Sequence, residues 1–355
     1  MLALTAFLRH SKIQVPLANL RSRAGGLWRG VFSAIGRYRP IPLSEKETVS
    51  GELAPFKGDI PLSAGDEYGQ RRMTFVTARP VFEEVENLLV TPRGAGWKDG
   101  VLFEKYSAQK PGLRMLMASR QPARTAPEGF FIQSEHVDTF GDWMGEYLVP
   151  LAQLSRIDAP VFLPAALAAK GYVQRDGDRL GVDFVGIDKP LLIKRAKVMR
   201  QNRFVRYWLP AQASALRALL KVDPVSPAPG SLLYLSRYGE RSEVADRTHP
   251  NLMLEEQVRA RGGTVLRTAD ASLEDYLMAG EQAETLLYDH GSAAYNMVYW
   301  RPRRIIEFAS DDWWMSSFLF FANASGVRDY TIICTDRPGA AERLNAALDA
   351  PVEDA

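Results

Sequence analysis

The chain has 355 residues, 46% of them hydrophobic, which is enough to build a core in each of two ordinary domains. Its 44 Lys and Arg against 42 Asp and Glu give a formal charge of +2, but residues 1–44 hold Arg9, Lys12, Arg21, Arg23, Arg29, Arg37 and Arg39 and no acid, which leaves the body at about −5. A single cysteine, Cys334, excludes an internal disulfide and a cysteine-based zinc cluster, and His10, His136, His249 and His290 fall at no metal-ligand spacing, so no metal site is expected.

The basic head suggests an anionic partner for residues 1–44 alone. Its apolar clusters, Leu2–Leu8 and Leu27–Ile35, fit short amphipathic helices on an anionic membrane surface. They fit a solvated N-terminus equally, and an Arg-rich, acid-free leader also resembles an organelle transit peptide. No run reaches the roughly 18 apolar residues of a membrane-spanning helix, and the features of a secretory signal are missing. A cytoplasmic protein, with peripheral contact at the inner face of the membrane through 1–44, is the expectation. The basic residues join no recognisable nucleic-acid motif, so no nucleic-acid partner is expected.

From Met73 to Tyr106, β-branched and aromatic residues alternate between turn formers such as Pro92-Arg93-Gly94, predicting short antiparallel strands. Strands follow at Phe130–Ile132, Val161–Leu163 and Leu191–Ile193, with a helix over Asp142–Leu154. The run Asp223–Gly230 has three prolines and a glycine, which stop a helix or a central strand, and it is taken as a domain boundary. This predicts an N-terminal domain over 45–222, a C-terminal domain over 231–335, and a helix and tail over 336–355.

Beyond the boundary the alternation is regular. Ser231–Ser236 reads as a strand, Leu252–Arg261 as a helix stopped by Gly262-Gly263, and Thr264–Arg267 as a strand. Ser272 with Asp275 makes a capping box that opens a helix to about Gln282. Leu286–Tyr288 is a strand, Ser292–Tyr299 a helix and Arg304–Phe308 a strand. Such alternation implies an α/β fold with a parallel sheet, whose ligand sits beyond the carboxyl ends of the strands.

Three features fall at those ends. Arg237 follows the first strand in a loop with Arg241 and Arg247, where guanidinium groups suit a diphosphate. His290-Gly291 follows another strand, where glycine permits close approach and the helix opening at Ser292 offers free N–H groups to phosphate. Glu307 ends the next strand, as a ribose-binding acid follows its glycine turn by roughly 20 residues. A solvated basic loop and a satisfied structural histidine are the plain alternatives. The aromatic run with Trp313 and Trp314, like Trp143 earlier, suits stacking on sugar rings or, at helical spacing, core packing.

The stretch Leu233-Tyr234-Leu235-Ser236-Arg237, then Arg247 and Asn251, then His290-Gly291-Ser292-Ala293-Ala294-Tyr295-Asn296-Met297 and Ile306-Glu307 resembles glycosyltransferase family 61. The resemblance covers roughly residues 74–335 and is most specific from His290 to Glu307. It implies a GT-B architecture of two Rossmann-like domains facing a cleft and inverting, metal-independent sugar transfer; the strands read between Met73 and Tyr106 add an antiparallel β segment near the N-terminus. The donor would be a nucleoside-diphosphate sugar held by Arg237, Arg241, Arg247, Asn251, His290, Gly291, Ser292, Asn296 and Glu307, with no cofactor. The acceptor would be a glycan or lipid-linked glycan, in capsule, exopolysaccharide or lipopolysaccharide synthesis. The chain departs from the family at Ala294-Tyr295, where Gly-Leu is usual, at Leu252, where an acid is usual, and at Asp142, where a histidine is common.

An inverting transferase needs a general base for the acceptor hydroxyl. Asp142 is the first candidate, with His136 and Glu135 as substitutes, although an Asp at a helix start is also an ordinary cap. The departures leave open a non-catalytic glycan-binding or scaffold homologue.

Overall fold

The computed structural model describes residues 48–352 apart from 65–67, 69–72, 79–80, 91, 93–95, 99–100, 103–123, 134–138, 201–207, 223–224, 241–251, 270 and 281. The basic segment 1–44 and the candidates Glu135, His136, Arg241, Arg247 and Asn251 therefore lie outside the described residues. The protein is a mixed α/β structure. Its strands in chain order are β1 (Thr48–Leu53), β2 (Lys57–Gly58), β3 (Met73–Ala78), β4 (Val81–Val90), β5 (Gly96–Lys98), β6 (Val101–Leu102), β7 (Arg124–Gln133), β8 (Val161–Pro164), β9 (Phe184–Ile187), β10 (Leu191–Arg200), β11 (Ala228–Ser236), β12 (Thr264–Arg267), β13 (Ala283–Asp289), β14 (Arg304–Ala309) and β15 (Asp329–Cys334).

The chain divides into two compact units along lines the sequence does not announce. One holds the described residues within Pro80–Val137 and Ile157–Arg203, the other those within Lys46–Arg79, Asp138–Arg156 and Phe204–Ala355. The expected boundary at 223–230 does not coincide with this division. Segments 46–79, 138–156 and 204–222, assigned from the sequence to the N-terminal domain, belong to the unit that contains 231–335. Nor does the proline-rich run stop the strand, because β11 already begins at Ala228, whose N–H donates to Gln282 O at 2.8 Å. An irregularity in its pairing to β13, with Gly230 at φ +75°, absorbs the break.

The first unit is a seven-stranded sheet in the order β6-β5-β4-β10-β7-β8-β9. β10 lies in the middle, antiparallel to β4 and parallel to β7. It runs seven residues past the predicted Leu191–Ile193, and Ala196 and Val198 join Leu191 and Ile193 in one buried cluster while Lys194 and Arg195 stay exposed. Val85, Leu88, Phe131, Phe162, Ile193 and Val198 form its core.

The second unit carries a six-stranded, all-parallel sheet in the order β12-β11-β13-β14-β15-β2, with a separate antiparallel pair, β1 and β3. Strands β13, β14 and β15 are buried along their whole length, which is why they read as apolar runs rather than alternating ones. Alternation still sorts the side chains. Tyr234, Leu287, Ile306, Phe308 and Ile333 pack with Leu254 and Val258 of helix Leu252–Ala260 and with Leu344 of helix Ala340–Asp349. On the other face, Tyr288 meets Phe318 of helix Ser317–Ala324, ring centroids 6.2 Å apart. Ser272 and Asp275 form the predicted capping box, with bonds of 2.8–3.2 Å. Among the described residues, no helix is long and apolar enough to cross a membrane.

Candidate functional site

Numbered from β11, the five successive strands of the second sheet lie in the order 2-1-3-4-5, and β2 adds a sixth at the far edge. The chain leaves β11 toward β12 on one side and returns to β13 on the other. In this doubly wound order the switch point falls between the carboxyl ends of β11 and β13, where open α/β sheets take their ligands. Arg237 follows one of those ends and Asp289-His290-Gly291 forms the other.

Hydrogen bonds bring these residues together. The Arg237 backbone N–H donates to Asp289 Oδ2 at 2.7 Å, and Tyr234 OH donates to Asp289 Oδ1 at 2.8 Å. The Arg237 guanidinium donates through Nη1 to the His290 carbonyl at 2.8 Å, and through Nε and Nη2 to Glu240 Oε2 at 2.9 and 2.7 Å. Glycine at 291 makes room for the Arg237 guanidinium rather than serving a backbone angle. A Cβ there would lie 2.6 Å from Arg237 Nη1, whereas its φ of 165° suits any residue. Burial pushes the Asp289 carboxyl up to about 7 against the pull of its two donors, and burial beside Asp289 raises Tyr234.

His290 is buried completely. Its Nε2 accepts the Met315 backbone N–H at 3.3 Å, so in the neutral ring the hydrogen sits on Nδ1 and is donated to Glu307 Oε1 at 2.5 Å. Glu307 Oε2 takes Trp314 Nε1–H at 3.1 Å and Tyr330 OH at 2.8 Å. Tyr288 extends the chain through a 2.5 Å contact between its hydroxyl and that of Tyr330, and burial together with Glu307 raises the pKa of both phenols. Two expectations are corrected here. Glu307 offers no surface to a ribose, because both oxygens are buried and engaged. His290 supports the turn from beneath through its ring, and it is its main-chain carbonyl that meets Arg237.

The segment Ser292–Tyr299 is a 3-10 helix, its first bond running from Ala294 N–H to Gly291 O at 3.0 Å. The N–H groups of Ser292 and Ala293 lead it and have no acceptor inside it. Asn296 turns back, donating to Ala293 O at 3.0 Å, so it closes the turn instead of reaching a ligand. Tyr295 is core, against Trp208, Phe318 and Phe321.

Asp142 does lie beside this turn. A Cβ on its neighbour Gly141 would come within 3.2 Å of Ser292 Cβ and 3.3 Å of Tyr295. Its carboxylate also serves as a helix cap. Asp142 Oδ2 accepts the Thr139 N–H at 3.0 Å and the Thr139 hydroxyl at 2.8 Å, while Thr139 Oγ1 accepts the Asp142 N–H at 3.2 Å. This is a capping box at the head of a continuous helix, Phe140–Asp142, Trp143–Leu148 and Val149–Ala152, whose middle turn is π-helical. Trp143 is fully buried and stacked on Tyr147 at 5.9 Å, and Trp314 is buried and bonded to Glu307, so neither presents a face to a sugar. Trp313 is half-buried and edge-on to His290, ring centroids 4.8 Å apart.

No family model matches the chain, and no curated protein is significantly similar to it.

Four residues at or beneath the switch point were given no site role by the sequence reading. Asp289 precedes His290 directly and was readable only as the last residue of a strand. Glu240 and Thr268 come from two different loops, and Thr268 Oγ1 donates to Glu240 Oε1. Glu255 lies beneath, taking Ser236 Oγ–H at 2.7 Å and Arg267 at 2.9 and 3.2 Å. Burial opposes its ionisation, but Arg267, Ser236 and Arg259 together hold its carboxyl below the ordinary value. Among the described residues, Asp311, Cys334 and Asp336 also stand close enough to share a cation, at the ends of β14 and β15. They form a cluster of their own. Asp311 takes Arg337 at 2.6 and 2.7 Å, Asp336 takes Ser310 Oγ–H and the Asp311 N–H, and burial pushes the Cys334 thiol up to about 12, so it keeps its proton.

Proposed function

We propose that the protein is a glycosyltransferase that takes a sugar from a nucleoside diphosphate and passes it to a glycan or lipid-linked glycan of a bacterial surface polysaccharide. The observation that carries this reading is Arg237 resting on the His290 carbonyl over Gly291, at the switch point of a 2-1-3-4-5 sheet. Phosphate oxygens there meet a guanidinium and the leading N–H groups of Ser292 and Ala293. Charge developing on a departing diphosphate would be stabilised by donors already in place, which is electrostatic preorganisation. A GT-B architecture, inversion and independence of metal accompany this reading, by the resemblance to glycosyltransferase family 61. The candidates for the general base are Asp142 first, with His136 and Glu135 as substitutes.

Titration calorimetry of the full chain with uridine, guanosine and cytidine diphosphates tests the site. One of them should bind, and Arg237→Ala should weaken it at least tenfold; binding of none would sink the proposal. The capping role of Asp142 favours a second reading, a sugar-nucleotide or glycan-binding homologue that does not transfer. Release of nucleoside diphosphate from a panel of sugar nucleotides, with and without a glycan acceptor and in the presence of EDTA, separates the two.

A further inference from the structure

The bidentate edge of the Arg237 guanidinium, its Nε and Nη2, is already taken. Both groups donate to one oxygen of Glu240, at 2.9 and 2.7 Å, and Arg237 is only 12% exposed and Glu240 21%. A tight turn produces the pair. Glu240 N–H donates to Arg237 O at 3.1 Å, and Gly239 at φ +89° takes the left-handed position that brings the chain back over the arginine. The other Glu240 oxygen is held by the Thr268 hydroxyl, and Thr268 is fixed by its own N–H to Ser236 O at 2.8 Å. Arg237 is held independently by Nη1 on the His290 carbonyl.

A phosphate gains most from an arginine through the same two-donor edge that Glu240 occupies. Arg237 and Glu240 also cancel in charge, and the Asp289 carboxyl sits 2.7 Å from the Arg237 N–H, so these three groups bring no net positive charge to an incoming anion. We propose that Glu240 is an internal competitor for the phosphate site: it holds the fork of Arg237 in shape, and a phosphate ligand binds by taking its place while the Nη1 bond keeps the guanidinium where it is. Glu240 then sets the affinity of the site and restricts it to ligands able to outbid a tethered carboxylate, such as a diphosphate rather than a lone monoanion.

The inference rests on Arg237 being the phosphate ligand, and the test separates the two claims. Inorganic pyrophosphate is titrated calorimetrically into the full-length chain and into Glu240→Gln, Thr268→Val and Arg237→Ala. Glu240→Gln removes the charge and keeps the shape, so pyrophosphate should bind about tenfold more tightly. Thr268→Val removes only the second tether of the carboxylate and should tighten binding by a factor of about 2 to 3, which covers the case in which Glu240→Gln does not fold. If Arg237→Ala abolishes binding while Glu240→Gln and Thr268→Val leave it unchanged or weaken it, Glu240 merely positions the arginine and the inference falls. If Arg237→Ala binds like wild type, or no variant binds at all, the phosphate reading itself falls.

Discussion

Replacing Asp289 with asparagine tests the electrostatics of the switch point without touching a proposed ligand contact. An amide at this position reproduces the protonated acid, since its oxygen can accept the Arg237 N–H and its NH2 can donate to the Tyr234 oxygen. In the folded protein, burial pushes the Asp289 carboxyl up to about 7, roughly 3 pH units above its value in an unfolded chain. The folded state therefore holds this proton more tightly. Its stability is greatest below the unfolded pKa, is lost as the pH rises toward the folded one, and levels off above it. At about 1.4 kcal/mol per pH unit the full loss is about 4 kcal/mol, most of the part above pH 5 falling before pH 8. Urea denaturation of wild type and Asp289→Asn at pH 5, 6, 7 and 8 reads this directly, because other titrating groups cancel in the difference. The variant should gain about 3 kcal/mol on wild type across that range. A difference that stays constant with pH would refute the assignment of Asp289 as the buried, shifted acid.

Two further substitutions probe the turn. Gly291→Ala should leave the fold intact, since φ at 291 suits alanine and the clash is with the end of a flexible side chain; displacing Arg237 from the His290 carbonyl should weaken nucleoside-diphosphate binding about tenfold by calorimetry. His290→Ala should act on stability first. It leaves a cavity and a buried Glu307 oxygen without its donor, at a cost of about 2–5 kcal/mol in denaturant melts, and a variant within about 0.5 kcal/mol of wild type would show the His290–Glu307 pair to be dispensable.

Local periodicity made the second sheet legible. Strands and helices between Ser231 and Phe308 could be read in order because each strand is short, apolar and bounded by turn residues, and Gly262, at φ +77°, ends its helix as expected. The switch point could be anticipated from the ends of those strands, with Arg237, Gly291 and Ser292 at the right places. What side chains do there was not legible. Glu307 and a ribose-binding acid look alike in sequence, and only burial against His290, Trp314 and Tyr330 distinguishes them. Asp142 reads as base or cap, and only the structure shows Thr139 completing the cap. Long-range membership was hidden as well, since nothing in residues 138–156 announces that Gly141 packs on Ser292. The amphipathic helix Gly171–Leu180, of which only Val173, Asp176 and Gly177 are buried, is not among the elements read from the sequence.

The strand β2 gives the second unit an unusual assembly order. Lys57 pairs with Asp329 across a sequence separation of 272 residues, Asp59 Oδ2 accepts the Cys334 N–H, and β2 closes the sheet edge that β15 would otherwise present. During synthesis, residues 57–59 must wait for the 272 positions that separate Lys57 from Asp329 before their partners exist. Strand pairing across such a separation is slow, and until it forms β15 is an open edge of the kind that recruits other chains. Refolding of this protein from denaturant should accordingly end in a slow step that orders β2, and aggregation should compete with that step more than with any earlier one.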